Sequence, residues 1–290
     1  VSLEHRVKFC CISGENRWVR QLIPSMSRRS GRATMVDMAA ILTEKSFLFR
    51  SMSHAEIERF LDPDQLVYEK LYSNRPIYTA FRPDTWLDAL YVIVEGGPVI
   101  MRSTPLDRVI AIHYPAGCFG VRSLPVGFGI MAHGFPSLVE AYKTTDVVKI
   151  PMDAVKALYD HHETFRQRYH LLFELREKFQ YHLLNCSTYP PQAVASLLRA
   201  LVYQERSLGS QPQAQPDQYR LDLPVDLIAR ACQLNHRTVE QVLKGMNKAG
   251  FVALTKGSEY GVDDICITDP EALKEVYGAT RDKVSWWPLK

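Results

Sequence analysis

Between residues 66 and 150 the chain is written in short β-branched and aromatic runs, and after Pro151 the apolar spacing changes to a helical period. That switch constrains the fold more than any other feature. The runs "QLVYEKLY", "RPIYTAF", "ALYVIVEG", "PVIMRS", "RVIAIHY", "SLVEAY" and "DVVKIP" are punctuated by Gly, Pro, Asp or Asn. Many short strands at such spacing predict an antiparallel sandwich or roll. Strands first and helices afterwards is an α+β order.

Upstream, "SHAEIERFL" opens with Ser53 and carries Glu56 three residues on, a capping box. Ile57, Phe60 and Leu61 then give a short amphipathic helix. Residues 1–34 hold seven Arg and Lys against Glu4 and Glu15, a net of +5 that leaves −2 for the rest of the chain. This basic arm, with its "SRRSGR", is too polar and too rich in Gly and Ser to bury itself. Folded sequence is expected from near Met38, and Met35 is a plausible initiator.

After Pro151, Phe165, Tyr169, Leu172, Arg176, Phe179 and Leu183 recur at 4- and 3-residue steps, a coiled-coil-like seam on a helix of about 25 residues. The seam lies either on the chain's own sheet or against a second copy of the chain. "YPP" (189–191) ends that helix, because proline cannot continue it. "QAVASLLRALVYQE" is a further amphipathic helix, and "GSQPQAQPDQ" (209–218) a polar loop.

The stretch "LPVDLIARACQLNHRTVEQVLKGMNKAGFV" (223–252) reads as two short helices joined by a tight turn. Val239, Val242, Leu243 and Met246 form one apolar face of the second helix, and Leu227, Ile228, Ala231 and Leu234 supply the partner face. Asn235 is placed to cap the second helix. Its opposite face carries His236, Arg237, Glu240, Gln241 and Lys244. A short helix that projects polar side chains from its N-terminal half has the geometry that enters a DNA major groove. "GFVALTKGSEYGVDDICIT" follows as two strands around a turn, a hairpin or wing.

This pattern resembles the helix-turn-helix of the CRP/FNR transcription regulators. The resemblance is carried by Ile228-Ala229, Asn235, Thr238-Val239, Leu243-Lys244 and Gly250-Phe251-Val252. It extends to "LDALYVIVEGG" (87–97) and "PAGCFGVRSL" (115–124), which resemble segments of that family's cyclic-nucleotide-binding β-roll, and to the helix at 162–187. Two departures stand out. Gln233 occupies the turn where the family keeps glycine, and His236, Arg237 and Gln241 replace its usual base-reading set.

The resemblance implies an arm over 1–37, a β-roll sensor over 38–160, a dimerisation helix over 161–189 and a winged helix-turn-helix over 190–290. It further implies a cytoplasmic homodimer that binds double-stranded DNA and meets RNA polymerase. Arg237 would read guanine and Gln241 adenine, with His236 and Lys244 on phosphates. Phe165, Tyr169, Leu172, Arg176, Phe179 and Leu183 would form the dimer interface.

The family's cAMP pocket needs a glutamate and an Arg-Ser pair. Those positions fall on Val121 and Phe135-Pro136, so cAMP is not expected as effector. The loop Phe119, Gly120, Val121, Arg122, Ser123 resembles that of the nitrogen-control branch, which senses 2-oxoglutarate, although that branch has an arginine at the position of Phe135. Arg28 and Arg32 have the RxxxR spacing of PilZ-type cyclic di-GMP binders, with Arg75, Arg82 and Arg122 as further candidates from the roll. Cyclic di-GMP is thus the expected effector, since arginine holds guanine by stacking and forked hydrogen bonds. The alternative is a nucleotide-sensing module whose helix-turn-helix remnant binds protein.

Enzyme and metal readings find little support. His113 and His133 are isolated, and the adjacent residues of "HHE" (161–163) point about 100° apart on a helix. There is no phosphate loop or nucleophile motif. The six cysteines show no CxxC spacing, and free, mostly buried thiols are expected. No apolar run reaches the roughly 18 residues of a membrane span.

Overall fold

The computed structural model describes residues 33–73, 75–79, 89–103, 107–121, 138–185, 189–209, 217–256 and 262–278, which all lie in one compact unit of the chain. The elements run α1 (Ala33–Lys45), α2 (His54–Phe60), β1 (Val67–Leu71), β2 (Pro76–Thr79), β3 (Ala89–Glu95), β4 (Val99–Ser103), β5 (Arg108–His113), β6 (Cys118–Phe119), β7 (Leu138–Ala141) and β8 (Thr145–Pro151). Then follow α3 (Met152–His161), α4 (Glu163–Asn185), α5 (Pro190–Leu208), β9 (Tyr219–Asp222), α6 (Val225–Cys232), α7 (His236–Lys248), β10 (Val252–Lys256), β11 (Val262–Ile267) and α8 (Pro270–Gly278).

Among the described residues the roll is two four-stranded antiparallel sheets, ordered β1-β8-β3-β6 and β2-β7-β4-β5. Their facing sides enclose Leu71, Tyr91, Ile93, Val99, Met101, Phe119, Val139 and Val147. The outer face of the first sheet is covered by α1 to α4, which bury Leu90, Val92, Val148 and Ile150 against Leu42, Phe49, Ile57, Phe165 and Tyr169. Strand β3 is therefore covered on both sides, and its first six residues, ALYVIV, show no polar alternation because neither face meets water. The expected mixed helix and antiparallel-sheet class is the one found.

The capping box forms as the spacing requires. Ser53 N donates to Glu56 Oε2 at 2.7 Å, and Glu56 N donates back to Ser53 Oγ at 3.3 Å. Helix α1 starts at Ala33, five residues before the expected onset of folded sequence. The two-residue strand β6 and the four-residue strand β9 were not expected either.

The largest departure concerns the seam of α4. Phe165 and Tyr169 are fully buried within the single chain, where Phe165 packs its ring against Phe49 and Tyr169 packs edge-on to Tyr159. Phe179 is buried too, in the core shared with α5. These three residues cannot contact a second copy, which corrects their assignment to a dimer interface. The seam lies on the chain's own core. Leu172, Arg176 and Leu183 are half-buried.

The outer face of the second sheet is covered as well. Ile100, Val109, Ile112 and Tyr114 join one continuous core with α5, α6, α7 and the β9–β11 sheet. Tyr114 Oη donates to Asp222 O at 2.9 Å, and Gln204 Nε2 donates to Ile112 O at 3.1 Å. Across the same junction Glu140 of β7 accepts from Arg102 Nη2 at 2.8 Å and from Arg230 Nη2 of α6 at 3.2 Å.

His113, at the end of β5, places Nε2 3.4 Å from Met101 Sδ. Burial lowers its pKa to about 4, and Arg176 pushes in the same direction. The folded state thus holds the neutral imidazole, while the unfolded chain takes up a proton below about 6.5. The stability this confers is complete above pH 6.5 and is lost as pH falls from 6.5 toward 4, up to about 3 kcal/mol. Guanidinium unfolding at pH 7 and pH 4.5 should show the loss, and His113→Leu should flatten that part of the profile. An unchanged slope in the variant would refute the assignment.

Candidate nucleic-acid interface

Helix α6 buries Leu227, Ile228, Ala229 and Ala231 and ends at Gln233, which adopts φ 55° and ψ 38°. This is the left-handed conformation that the turn demands, held by a residue with a Cβ. Gln233 N donates to Ala229 O, as does Leu234 N at 3.0 Å, so one carbonyl of the last turn of α6 takes both bonds. A non-glycine residue there costs about 1 kcal/mol. Gln233→Gly should raise the unfolding free energy by about 0.5–1 kcal/mol, and a drop instead would show that the Gln233 side chain makes a contact that outweighs the strain.

Chain direction then reverses into α7. Asn235 is extended and its side-chain oxygen accepts from Thr238 N at 2.8 Å, the expected cap. Val239, Val242, Leu243 and Met246 are buried along one side. Gly245 is buried as well, and it leaves room for close packing beside that stripe.

His236, Arg237, Glu240, Gln241 and Lys244 are all exposed, on one contiguous face. The exposed Asn247 and Lys248 continue the same face, an extension that the helical period alone makes visible. Three permanent cations, Arg237, Lys244 and Lys248, meet one carboxylate on it. Glu240 sits 3.6 Å from His236 Nδ1, one turn back. The two side chains face each other within the helix. Arg237 and Gln241 have no such neighbour in α7.

Behind α7 the sheet runs β10-β11-β9. The β10–β11 pair has a shift in register after Thr255 and is the expected wing, while β9 closes the sheet against the helices.

No family model matches this chain, and no curated protein does. Solved structures do. FixK2 from Bradyrhizobium japonicum superposes with a TM-score of 0.55 at 15% identity, over 74% of this chain and 98% of that one. A mutant of CooA from Carboxydothermus hydrogenoformans gives 0.52 at 14% identity, over 74% and 88%. The fold is that of the CRP/FNR regulators. A CRP/FNR-family transcriptional regulator from Thermus thermophilus gives 0.47 at 15% identity, over 73% and 99%.

Within this CRP/FNR fold the expected effector residues have structural work to do. Phe119 is buried between the sheets and stacks on Tyr91 at 4.7 Å, so it cannot line an open pocket. Gly120 has φ +86°, and a Cβ there would collide with Ala89 O. Its glycine is explained by the approach of β3, without any ligand. Val121 packs on the helical side of the roll. The assignment of Phe119 to an effector contact is corrected on the ground of its burial. Arg75 is exposed with its guanidinium 5.5 Å from the Tyr72 ring centroid. Arg28, Arg32, Arg82, Arg122 and Ser123 lie outside the described residues.

Of the three described cysteines, Cys266 is half-buried. Cys118 and Cys232 are buried, and burial pushes the Cys118 thiol up to about 12. Among the described residues no group of three His, Cys, Asp or Glu is placed to hold a metal ion. No described helix is long and apolar enough to cross a membrane.

Proposed function

We propose that this chain is a sequence-specific, ligand-responsive DNA-binding transcription regulator. The observation that carries the reading is the exposed polar face of a capped helix, α7, set on a helix-turn-helix and backed by a wing. Arg237 and Gln241 stand in the N-terminal half of that helix, where base edges come within reach. Two chains pair along α4, where Leu172, Arg176 and Leu183 are half-buried. A two-fold axis then sets the recognition helices about 34 Å apart, on successive turns of one groove. Such a dimer contacts RNA polymerase when bound beside a promoter.

The effector we propose is a second messenger, cyclic di-GMP. This rests on the Arg28 and Arg32 spacing and on the exposed Arg75, since forked, planar guanidinium groups suit guanine. Calorimetric titration of cyclic di-GMP into the full chain and into a form starting at Met35 tests it, with cAMP and 2-oxoglutarate as comparators. Affinity that weakens on truncation supports the arm as part of the site, and silence with cyclic di-GMP removes this effector.

DNA recognition is tested by a mobility shift with genomic fragments over a range of salt concentrations. Arg237→Ala should cost about 1–3 kcal/mol on the preferred fragment and relax base preference at one position. Lys244→Ala should weaken all sequences alike and reduce the salt slope by about one phosphate contact. If no fragment is retained at low salt, with or without effector, the face of α7 binds something other than DNA.

A further inference from the structure

A cleft of about 310 Å3 opens where the C-terminal part of α4 meets α5 and the start of α8. Its walls carry an excess of positive charge. Lys178, His182, Arg199 and Arg206 line it, with Glu271 as the carboxylate among them. Arg206 is already neutralised, because it donates to Tyr219 Oη at 2.8 Å and pairs with Asp217 at 3.2 Å and Glu271 at 3.4 Å.

Lys178 and Arg199 differ from Arg206. Lys178 Nζ donates to Tyr203 Oη and lies 4.2 Å from the centre of that ring, and both partners are uncharged. Arg199 is half-buried. Neither forms an ion pair among the described residues. Two like charges facing one partly enclosed cleft repel each other, and an anion between them would relieve this. His182 lines the cleft with them. Burial lowers its pKa, and Arg199 and Lys178 push the same way, so it presents a neutral ring there. Beside them Tyr181 is 61% exposed, a flat ring open to solvent at the rim of a charged cleft.

We propose that this cleft binds a nucleotide, with its phosphates on Lys178 and Arg199 and its base stacked on Tyr181. A guanidinium and an ammonium suit clustered phosphate oxygens, and an exposed tyrosine accepts the face of any base. The volume is at the lower end of small-ligand pockets, which fits a mononucleotide. The N-terminal part of α4 packs on the roll's first sheet, whereas its C-terminal part, α5 and α8 share the core of the helix-turn-helix, so the nucleotide would bind where α4 passes from one core to the other. The proposal stands apart from the DNA-binding reading and requires none of its residues.

Calorimetric titration of ATP, GTP and inorganic triphosphate into the full chain tests it. At least one nucleotide should bind with a Kd of about 100 μM or tighter. Lys178→Gln and Arg199→Gln should each weaken that binding roughly tenfold, the loss of one charge-assisted contact. Tyr181→Ala should weaken the nucleotide while leaving triphosphate unchanged, and this exposed position spares the fold. Circular dichroism confirms that each variant is folded. Absence of heat with both nucleotides up to about 5 mM overturns the proposal. So does equal affinity for nucleotide and triphosphate, or binding that both charge variants leave intact.

Discussion

Phe165→Ala is expected to lower the unfolding free energy by about 3–5 kcal/mol, with no effect on how the chain associates. The ring is fully buried, 5.4 Å from Phe49 and 5.9 Å from Tyr169, so truncation leaves a cavity lined by aromatic faces that cannot collapse into it. Chemical denaturation measures the loss. Repeating it at several protein concentrations separates the two possible roles of the seam. A residue buried inside one chain shifts the midpoint equally at every concentration, whereas an interface residue makes the shift depend on concentration. A loss under about 1 kcal/mol, or a shift that grows on dilution, would return Phe165 to the interface between two copies.

Glu140→Ala should cost nearly as much, about 3 kcal/mol, for an electrostatic reason. Its carboxylate is 14% exposed and lies between Arg102, itself 13% exposed, and Arg230 from the helix-turn-helix. Arg102 keeps Asp107 at 2.7 Å when the glutamate is gone, but Arg230 keeps only Asp226 at 3.9 Å. Removing the glutamate leaves the half-buried Arg230 guanidinium poorly compensated. Removing Arg230 as well should recover part of the loss, because the uncompensated charge leaves with it. A loss under about 1 kcal/mol on Glu140→Ala would show that water screens this junction and that Glu140 matters little.

Much of this architecture was legible in the chain. The strand runs, the capping box at Ser53, the apolar stripe of α7 and the wing were found where the residues predict them, because each is set by neighbours close in sequence. The strain at Gln233 was legible for the same reason, as the turn between α6 and α7 demands a left-handed residue. What escaped depends on distant partners. The period of α4 identifies an apolar face but not what covers it, so Phe165 and Tyr169 read equally well as a dimer seam or as a sheet-covering face. The bond from Arg230 to Glu140 joins residues ninety positions apart and leaves no local trace. Phe119 resembled part of an effector loop because what buries it, Tyr91 on a strand far away in sequence, leaves no local trace. Strand β9 has four residues and follows a polar loop, too short for its Tyr219 and Leu221 alternation to stand out.

Helix α5 has a consequence for how separable the parts of this chain are. Val194, Ala195, Ser196, Leu197 and Leu198 are all essentially inaccessible in five consecutive positions, so every side of the helix is covered along this turn. It serves at once as the floor of the roll's second sheet and as the back wall of the helix-turn-helix. The winged-helix half is therefore not a detachable module. Grafted elsewhere without α5 it would present a bare apolar wall, and grafted with α5 it would carry a surface shaped to fit β4 and β5. Any exchange of parts between this chain and another of the same fold has to cut before Pro190 and bring a roll whose second sheet has an outer face that fits α5.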